Sequence, residues 1–520
     1  MKSLDVLHLY PEHKYTLSTL LESRVAQQRR RECLLFENKE KYSWETFHEW
    51  VAGLSGYIAS MGFQEGDRVA ICSRNSALFV ALYFALADQG LVAVPINPDL
   101  KNEEALFILK HSETKALLFQ NKFNDLAIFA SKELPLKLIE LETTHYSLKL
   151  KKLSHKGQAE KPSLILYTSG TTGFPKGVVH SQKTTVMAGE AFVERMQLTP
   201  EDRLLCILPF FHINALFYSM MGTFAAGATL IVTEKFSASK FWELATQTAA
   251  TEVNIIAAIG SILGQRDRKE FNPQHKIKKI YGAPVSVAIE KLFREEFKVP
   301  VVLEGYGMTE IPGAINNQIH SKWKVGTMGV AARHPDTSLQ FTQLKILDDS
   351  LNEIITTDEP GELVVKTPLL MMEYYKDPEQ TKNSFTEDGY FKTGDLVKKD
   401  KDGFYVFVTR KKDIIRRRGE NISGAEIDRC VMLHPGIAEC AAIGVPSNLG
   451  EEEVFLAIVP REGVYVSEKD ISEWCHKNLS PIKCPRYIKK FPSLPHTATA
   501  RVAKFKLKQI EDLLIAAIEF

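Results

Sequence analysis

An α/β architecture with a second, smaller α+β part follows from three observations. Short apolar runs alternate with amphipathic stretches of helical length through most of the chain, the order expected of a largely parallel sheet with helices on its faces. The runs are apolar on both faces, as strands buried from two sides are. Near residue 389 the texture changes to hairpin-type turns, Asp388-Gly389 and Asp402-Gly403. At 520 residues the chain exceeds a single core, and two or three domains are expected.

The elements can be taken in order. Ser43 to Met61 has helical periodicity, with Ser43 as N-cap. Asp67-Arg68-Val69-Ala70-Ile71-Cys72 is a buried strand, Ser76 to Gln89 a helix, and Val92-Ala93-Val94-Pro95 a strand. After the apolar run Leu164-Ile165-Leu166 comes a glycine-rich loop, and Gly177-Val178-Val179 leads into another strand. A helix over Gln182 to Met196, a strand over Ala228 to Val232, a helix over Ser239 to Thr246 and a strand over Asn254 to Ala258 repeat the pattern. Val301-Val302-Leu303 is a strand, and Tyr306 to Glu310 after it, taken alone, is readable as a strand-to-loop turn. Farther on, Phe404 to Val408 is a strand and Ala425 to Met432 a helix. Cys440 to Val445 and Val454 to Val459 are strands, and Ser467-Glu468-Lys469-Asp470 opens the last clear helix with a capping box.

Composition is that of a globular protein, with 44% hydrophobic and 25% charged residues. The net charge of +1 gives no footprint for a nucleic acid. Leu204 to Val232 carries no Asp, Glu, Lys or Arg, but it holds Pro209, His212, Asn214, Gly222 and Gly227. It reads as a loop, a buried helix and a buried strand, not as a membrane span. None of the seven cysteines forms a C-x-x-C pair, and Met1-Lys2-Ser3-Leu4-Asp5 opens no apolar signal core. A cytoplasmic protein with reduced thiols is expected.

The most chemically pointed stretch is Thr168-Ser169-Gly170-Thr171-Thr172-Gly173-Phe174-Pro175-Lys176-Gly177. Glycines let backbone N–H groups turn toward an anion, hydroxyls add donors, and Lys176 adds a point charge. The P-loop pattern G-x-x-x-x-G-K-[ST] is not met, because Pro175 stands where its second glycine belongs. Gly305-Tyr306-Gly307-Met308-Thr309-Glu310 is a second pointed stretch. Its glycines allow close approach, Tyr306 offers a flat face for a base, and the Glu310 oxygens suit Mg²⁺. Gly389-Tyr390-Phe391-Lys392-Thr393-Gly394-Asp395 ends in a carboxylate that suits two ribose hydroxyls. Taken singly, each stretch is also readable as an ordinary turn.

In this order and spacing, the motifs resemble those of the adenylate-forming enzymes, which include acyl-CoA synthetases, firefly-type luciferases and adenylation domains of peptide synthetases. Pro209-Phe210-Phe211-His212-Ile213-Asn214, Tyr281-Gly282-Ala283-Pro284, Thr409-Arg410-Lys411-Lys412-Asp413 and Arg416-Arg417-Arg418-Gly419-Glu420-Asn421-Ile422 add to the resemblance, which runs from about Leu17 to the end. The texture around Arg418 to Ser423 is closest to the carnitine/crotonobetaine-CoA ligase-like branch. The resemblance implies a large N-terminal domain of mixed and parallel sheets sandwiched with helices, with a small β-barrel-like subdomain, over 1–411. It implies a small mobile C-terminal α+β domain over 412–520, hinged near Lys412.

The same resemblance implies residue roles. The 168–176 loop cradles phosphates, Gly282 and Ala283 line adenine and the acyl pocket, and Tyr306 stacks on adenine. Thr309 faces phosphate, Glu310 the metal, Asp395 the ribose, and Arg410 ribose or phosphate. Arg418 and Gly419 belong to the loop that swings in for the second half-reaction, beside coenzyme A. His212 either touches substrate or is a core histidine. Ile213, Asn214, Ala258, Ile259, Gly260, Ala283, Gly305 and Met308 are acyl-pocket positions.

One motif departs from the family. A T-x-T-G-K-like ending is replaced by Thr497-Ala498-Thr499-Ala500-Arg501, with Lys504 following. Arginine keeps the charge but presents a planar fork in place of a compact ammonium. Arg501 or Lys504 is therefore the expected C-terminal catalytic cation. The expected activity is ATP-dependent, Mg²⁺-assisted ligation of a carboxylic acid to coenzyme A through an acyl-adenylate. Loading of a carrier protein and a non-catalytic nucleotide sensor are the alternatives.

Overall fold

The computed structural model describes residues 1–37, 39–141, 152–168, 175–319, 323–418, 420–447, 451–496, 502–510 and 512–520, the side chain of Asn421 aside. Among them the chain forms two compact units, one of 1–344 with 365–391 and one of 345–364 with 392–520.

The first unit holds two large sheets. One runs in the order Glu373–Tyr374, Lys176–Ser181, Pro162–Thr168, Val92–Ile96, Arg68–Cys72, Ala116–Phe119, Lys137–Glu140. Its strands from Pro162–Thr168 onward are parallel, and the first two are antiparallel additions. The other sheet runs Val330–Ala331, Ile311–Asn316, Val301–Met308, Lys279–Gly282, Glu252–Ile255, Arg203–Cys206, Thr229–Val232, Glu32–Phe36, Glu40–Ser43. Its six central strands are parallel, and antiparallel pairs close both ends. The helix Ala77–Asp88 is buried at every residue and shares one core with strands of both sheets. A helix apolar all round belongs in such a place.

Local signals set several boundaries. Ser43, Ser76 and Ser181 each accept an N–H in the first turn of the helices Trp44–Ala59, Ala77–Asp88 and Gln182–Met196. Such caps satisfy donors that have no partner inside the helix. The chargeless stretch from Leu204 resolves into a strand ending at Cys206, a buried π-helical and helical run over Asn214–Ala226, and the strand Thr229–Val232. Among the described residues no helix is long and apolar enough to cross a membrane.

Two expectations are corrected. The strand placed at Asn254 to Ala258 is Glu252–Ile255, and Ala257–Gln265 is a helix, so Ala258, Ile259 and Gly260 are helical. An apolar run of this length is compatible with either state. The stretch Gly305 to Met308 is not a loop: the strand Val301–Met308 continues through it because Ile311–Asn316 folds back and pairs with it.

The second unit carries a four-stranded sheet in the order Gln343–Leu347, Gly361–Lys366, Phe391–Lys399, Tyr405–Arg410. Asp402-Gly403 turns between the last two, with Gly403 at φ +88°, a conformation glycine adopts without a Cβ penalty. The hairpin Ile414–Arg417 with Glu420–Ser423, the helix Gly424–Met432 and a sheet of Ile437–Pro446, Glu452–Pro460, Tyr487–Lys490 and Ile518–Glu519 follow. Ser467 caps Glu468–Asn478 through the capping box.

Candidate active site

Three stretches of the first unit converge around the strand Lys176–Ser181. That strand pairs antiparallel with Pro162–Thr168, with Thr168 opposite Lys176. The glycine-rich loop is therefore the connection of a hairpin whose rims are Thr168 and Lys176. Ser169, Gly170, Thr171, Thr172 and Gly173 lie outside the described residues.

Lys176 is partly buried. Its Nζ donates to Gln380 Oε1 at 3.1 Å and stands 5.4 Å from the ring centroid of Tyr374. The Tyr374 hydroxyl in turn donates to Glu310 Oε1 at 2.7 Å. Glu310 is buried, and its main-chain oxygen accepts the Met371 N–H at 2.8 Å. One residue earlier, the Thr309 carbonyl accepts from His180 Nε2 at 2.7 Å. His180 is fully buried, and burial pushes its imidazole down to about 4, against the weaker pull of the Thr309 bond. The ring is thus neutral, with its proton on Nε2.

Behind Gly305 and Gly307 lies an aromatic cluster around one cation. A Cβ on Gly305 would stand 2.2 Å from the Tyr281 hydroxyl, and one on Gly307 would stand 2.6 Å from the Gly313 backbone nitrogen and 2.9 Å from the Tyr218 hydroxyl. Gly305 is therefore required by the close approach of a side chain, and Gly307 first by the close approach of a neighbouring backbone. Arg195 donates to the Tyr281 hydroxyl at 3.2 Å and to the Gly313 carbonyl at 3.3 Å. Its guanidinium carbon lies 5.0 and 5.1 Å from the centroids of Tyr218 and Tyr281, within cation–π range. Tyr306 and Thr309, half-buried, lie on and just beyond the same strand, and Gly282 pairs with Glu304 in the neighbouring one. Burial raises the carboxyl of Glu304, next to Gly305, to about 8. His212 is half-buried; its carbonyl accepts the Leu216 N–H at 3.2 Å and its ring meets Phe211 edge-on.

The second unit holds its own candidates. Asp395 and Arg410 face each other across antiparallel strands, with Arg410 Nε 3.4 Å from Asp395 Oδ1. Asp395 is buried, and its N–H donates to Thr393 Oγ1 at 3.1 Å. Arg418 is exposed with φ +52°, at the end of the strand Ile414–Arg417. Arg417 is different from its neighbours: it is buried, donates to the carbonyls of Ile482 and Cys484, and pairs with Glu453. It serves the interior of this unit and not a solvated basic face. Lys504 Nζ lies 2.5 Å from Asp428 Oδ2. Gly419 and Arg501 lie outside the described residues.

Sequence reasoning missed Tyr374, Gln380, His180 and Arg195. Each acts on a residue that is distant along the chain, and no local motif marks it. The arrangement fits Mg²⁺ through Glu310: a single carboxylate is a suitable donor set when substrate phosphates supply the remaining oxygens. Among the described residues no group of three or more His, Cys, Asp or Glu side chains is placed to hold an ion unaided.

Known proteins resemble this chain over most of its length. The chain is 29% identical over 503 residues to crotonobetaine/carnitine–CoA ligase of Salmonella paratyphi C (strain RKS4594), covering 92% of this chain and 95% of that protein. Its fold superimposes on ATP-bound MatB from Rhodopseudomonas palustris with TM-score 0.86 at 24% identity, over 95% of this chain and 98% of that one. It matches o-succinylbenzoate CoA synthetase of Bacillus subtilis, solved with its acyl-adenylate intermediate, with TM-score 0.84 at 25% identity and the same coverage. The sequence pattern of the AMP-binding enzymes matches residues 21–375, and that of their C-terminal domain matches 426–501. With both patterns in chain order and the Thr168–Lys176 hairpin, Tyr306 and Glu310 inside the first of them, this chain belongs to the AMP-binding enzyme family.

Proposed function

We propose that the chain is an ATP-dependent carboxylic acid–CoA ligase. The observation that carries the reading is the convergence of Lys176, Thr309 and Glu310 through His180 and Tyr374 at the rim of the glycine-rich hairpin. In the first half-reaction a carboxylate oxygen attacks the α-phosphorus of ATP, the bond to the β-phosphate oxygen breaks, and pyrophosphate leaves. In the second, the thiolate of coenzyme A attacks the acyl carbon and AMP leaves.

The residues divide this work. Two anions must meet, so fixed cations and donors are needed where charge builds up. Thr168, Ser169, Gly170, Thr171, Thr172, Gly173 and Lys176 hold phosphates, and the Thr309 hydroxyl adds a donor. Mg²⁺ on Glu310 would draw charge from the phosphate oxygens. Tyr306, Gly282 and Ala283 receive the adenine, while Asp395, steadied by Arg410, receives the ribose hydroxyls. His212 borders the acid, and Gly307 lets the backbone approach the nucleotide. Arg501 supplies the C-terminal cation for adenylation, with Lys504 as the competing assignment. Arg418 and Gly419 serve coenzyme A after the domain from 412 to 520 turns about Lys412. All seven cysteines are unpaired, in keeping with a cytoplasmic setting.

Product analysis tests this reading. With a panel of carboxylic acids, ATP, Mg²⁺ and coenzyme A, one acid should give stoichiometric AMP and acyl thioester. Thioester on a holo carrier protein but not on coenzyme A would replace the acceptor. AMP release with no acid requirement would remove the ligase reading altogether.

A further inference from the structure

Tyr374 belongs to no motif used so far, yet it touches two charged groups of the site. It lies on the two-residue strand Glu373–Tyr374, opposite Val178 of the strand that begins with Lys176. The side chain is 7% exposed. Its hydroxyl reaches the Glu310 carboxylate at 2.7 Å, while the Lys176 ammonium stands 5.4 Å from its ring centroid. A phenol ring attracts a cation to its face, and its O–H donates best to an anion. Tyr374 therefore satisfies Lys176 and Glu310 at once, without bringing them into a direct ion pair that phosphate and metal would have to break.

The surroundings hold the ring in place. The Tyr374 N–H donates to Thr381 Oγ1 at 2.9 Å. Thr381 and Gln380, the second partner of Lys176, share the helix Pro378–Asn383, capped by Asp377. Met371, three residues before Tyr374, grips the Glu310 main chain. One short segment thus fixes Glu310 at its backbone and its carboxylate.

We propose that Tyr374 is a positioning residue: its hydroxyl aims the Glu310 carboxylate and its ring seats Lys176, so that the metal-binding and phosphate-binding groups keep one register. This rests on the roles given above to Glu310 and Lys176. Outer partners of a metal-binding carboxylate typically change metal affinity by about 10- to 100-fold when removed.

The test uses Tyr374→Phe, which keeps the ring and removes the hydroxyl, Glu310→Gln, and the double variant. A nonhydrolysable ATP analogue is titrated calorimetrically at a series of Mg²⁺ concentrations with no acid present. Tyr374→Phe should raise the half-saturating Mg²⁺ concentration about tenfold, with the melting temperature and the KM for the acid close to wild type. In the Glu310→Gln background, Tyr374→Phe should add less than about a twofold effect, since coupled residues are not additive. A half-saturating Mg²⁺ concentration within twofold of wild type overturns the proposal. So does an undiminished effect in the Glu310→Gln background, or Mg²⁺-independent nucleotide binding by the wild type. Because no acid enters the titration, absence of acyl-adenylate with every acid tried would count against the ligase reading and leave this result standing.

Discussion

His180 donates its Nε2 proton to the Thr309 carbonyl across 2.7 Å, tying the strand after the glycine-rich loop to the residue before the candidate metal carboxylate. The pair has a pH signature. Burial lowers the folded-state pKa of His180 from 6.5 to about 4. Below 6.5 the unfolded chain takes up a proton that the folded chain refuses. Stability from this group is therefore complete above pH 6.5 and is lost as pH falls toward 4. At pH 5 the loss is about 1–2 kcal/mol. His180→Leu should weaken the fold at pH 7.5 by orphaning a carbonyl, by about 1–3 kcal/mol, and should have a flatter profile from pH 7.5 to 5. Denaturant midpoints at the two pH values check this; parallel profiles would refute it.

Gly305→Ala should impair the site through Tyr281. The added Cβ would fall 2.2 Å from the Tyr281 hydroxyl and 2.8 Å from its ring edge. Overpacking of this kind costs about 1–3 kcal/mol. Tyr281→Phe removes the nearest atom, so the double variant should recover part of the lost melting temperature. No recovery would mean that the backbone, and not the hydroxyl, sets the need for glycine.

Glu190 should be a keystone of the first unit. His13 Nδ1 accepts the Tyr15 N–H and His334 Nδ1 accepts the Asp336 N–H, so both rings turn Nε2–H toward Glu190, at 3.1 and 3.0 Å. Burial alone would raise the Glu190 carboxyl; the two histidine bonds overcome it and hold it near 2. Its stabilisation is present above pH 4.5 and lost as pH falls toward 2. Glu190→Gln sets an amide N–H against a ring N–H and should cost about 2–4 kcal/mol at pH 7, read from chemical unfolding. A loss below 0.5 kcal/mol, roughly the level of an exposed surface change, would show that the rings rearrange.

The C-terminal cation and the hinge can be separated by half-reaction. Arg501→Ala should depress ATP–pyrophosphate exchange about 100-fold or more, as loss of a transition-state donor does, while Lys504→Ala, which removes the partner of Asp428, should affect it less. The reverse order would move the role to Lys504. Lys412→Pro should spare exchange and block thioester formation; equal loss of both would argue against rotation about that residue.

Much of this molecule is legible in its residues, for physical reasons. Ser43, Ser76 and Ser467 announce helix starts because capping is a local event. The hairpin rims at Thr168 and Lys176 follow from two apolar runs around a glycine-rich loop. What stayed hidden depends on distant partners. Tyr374 meets Glu310 across 64 positions and His180 meets Thr309 across 129. Arg417 looks like one of three solvated arginines until Glu453 is folded beside it. The strand through Gly305 and Gly307 runs against glycine's poor strand propensity; pairing with Ile311–Asn316 holds it, and the Tyr281 hydroxyl and the Gly313 backbone leave no room for a Cβ at the two positions.

The most direct test of the whole account is acid-dependent exchange of labelled pyrophosphate into ATP, with coenzyme A left out. Label should enter ATP only when a suitable carboxylic acid is present, and Lys176→Ala should cut the rate by about 100-fold. Exchange at the same rate without any acid, or with Lys176 removed, would contradict it.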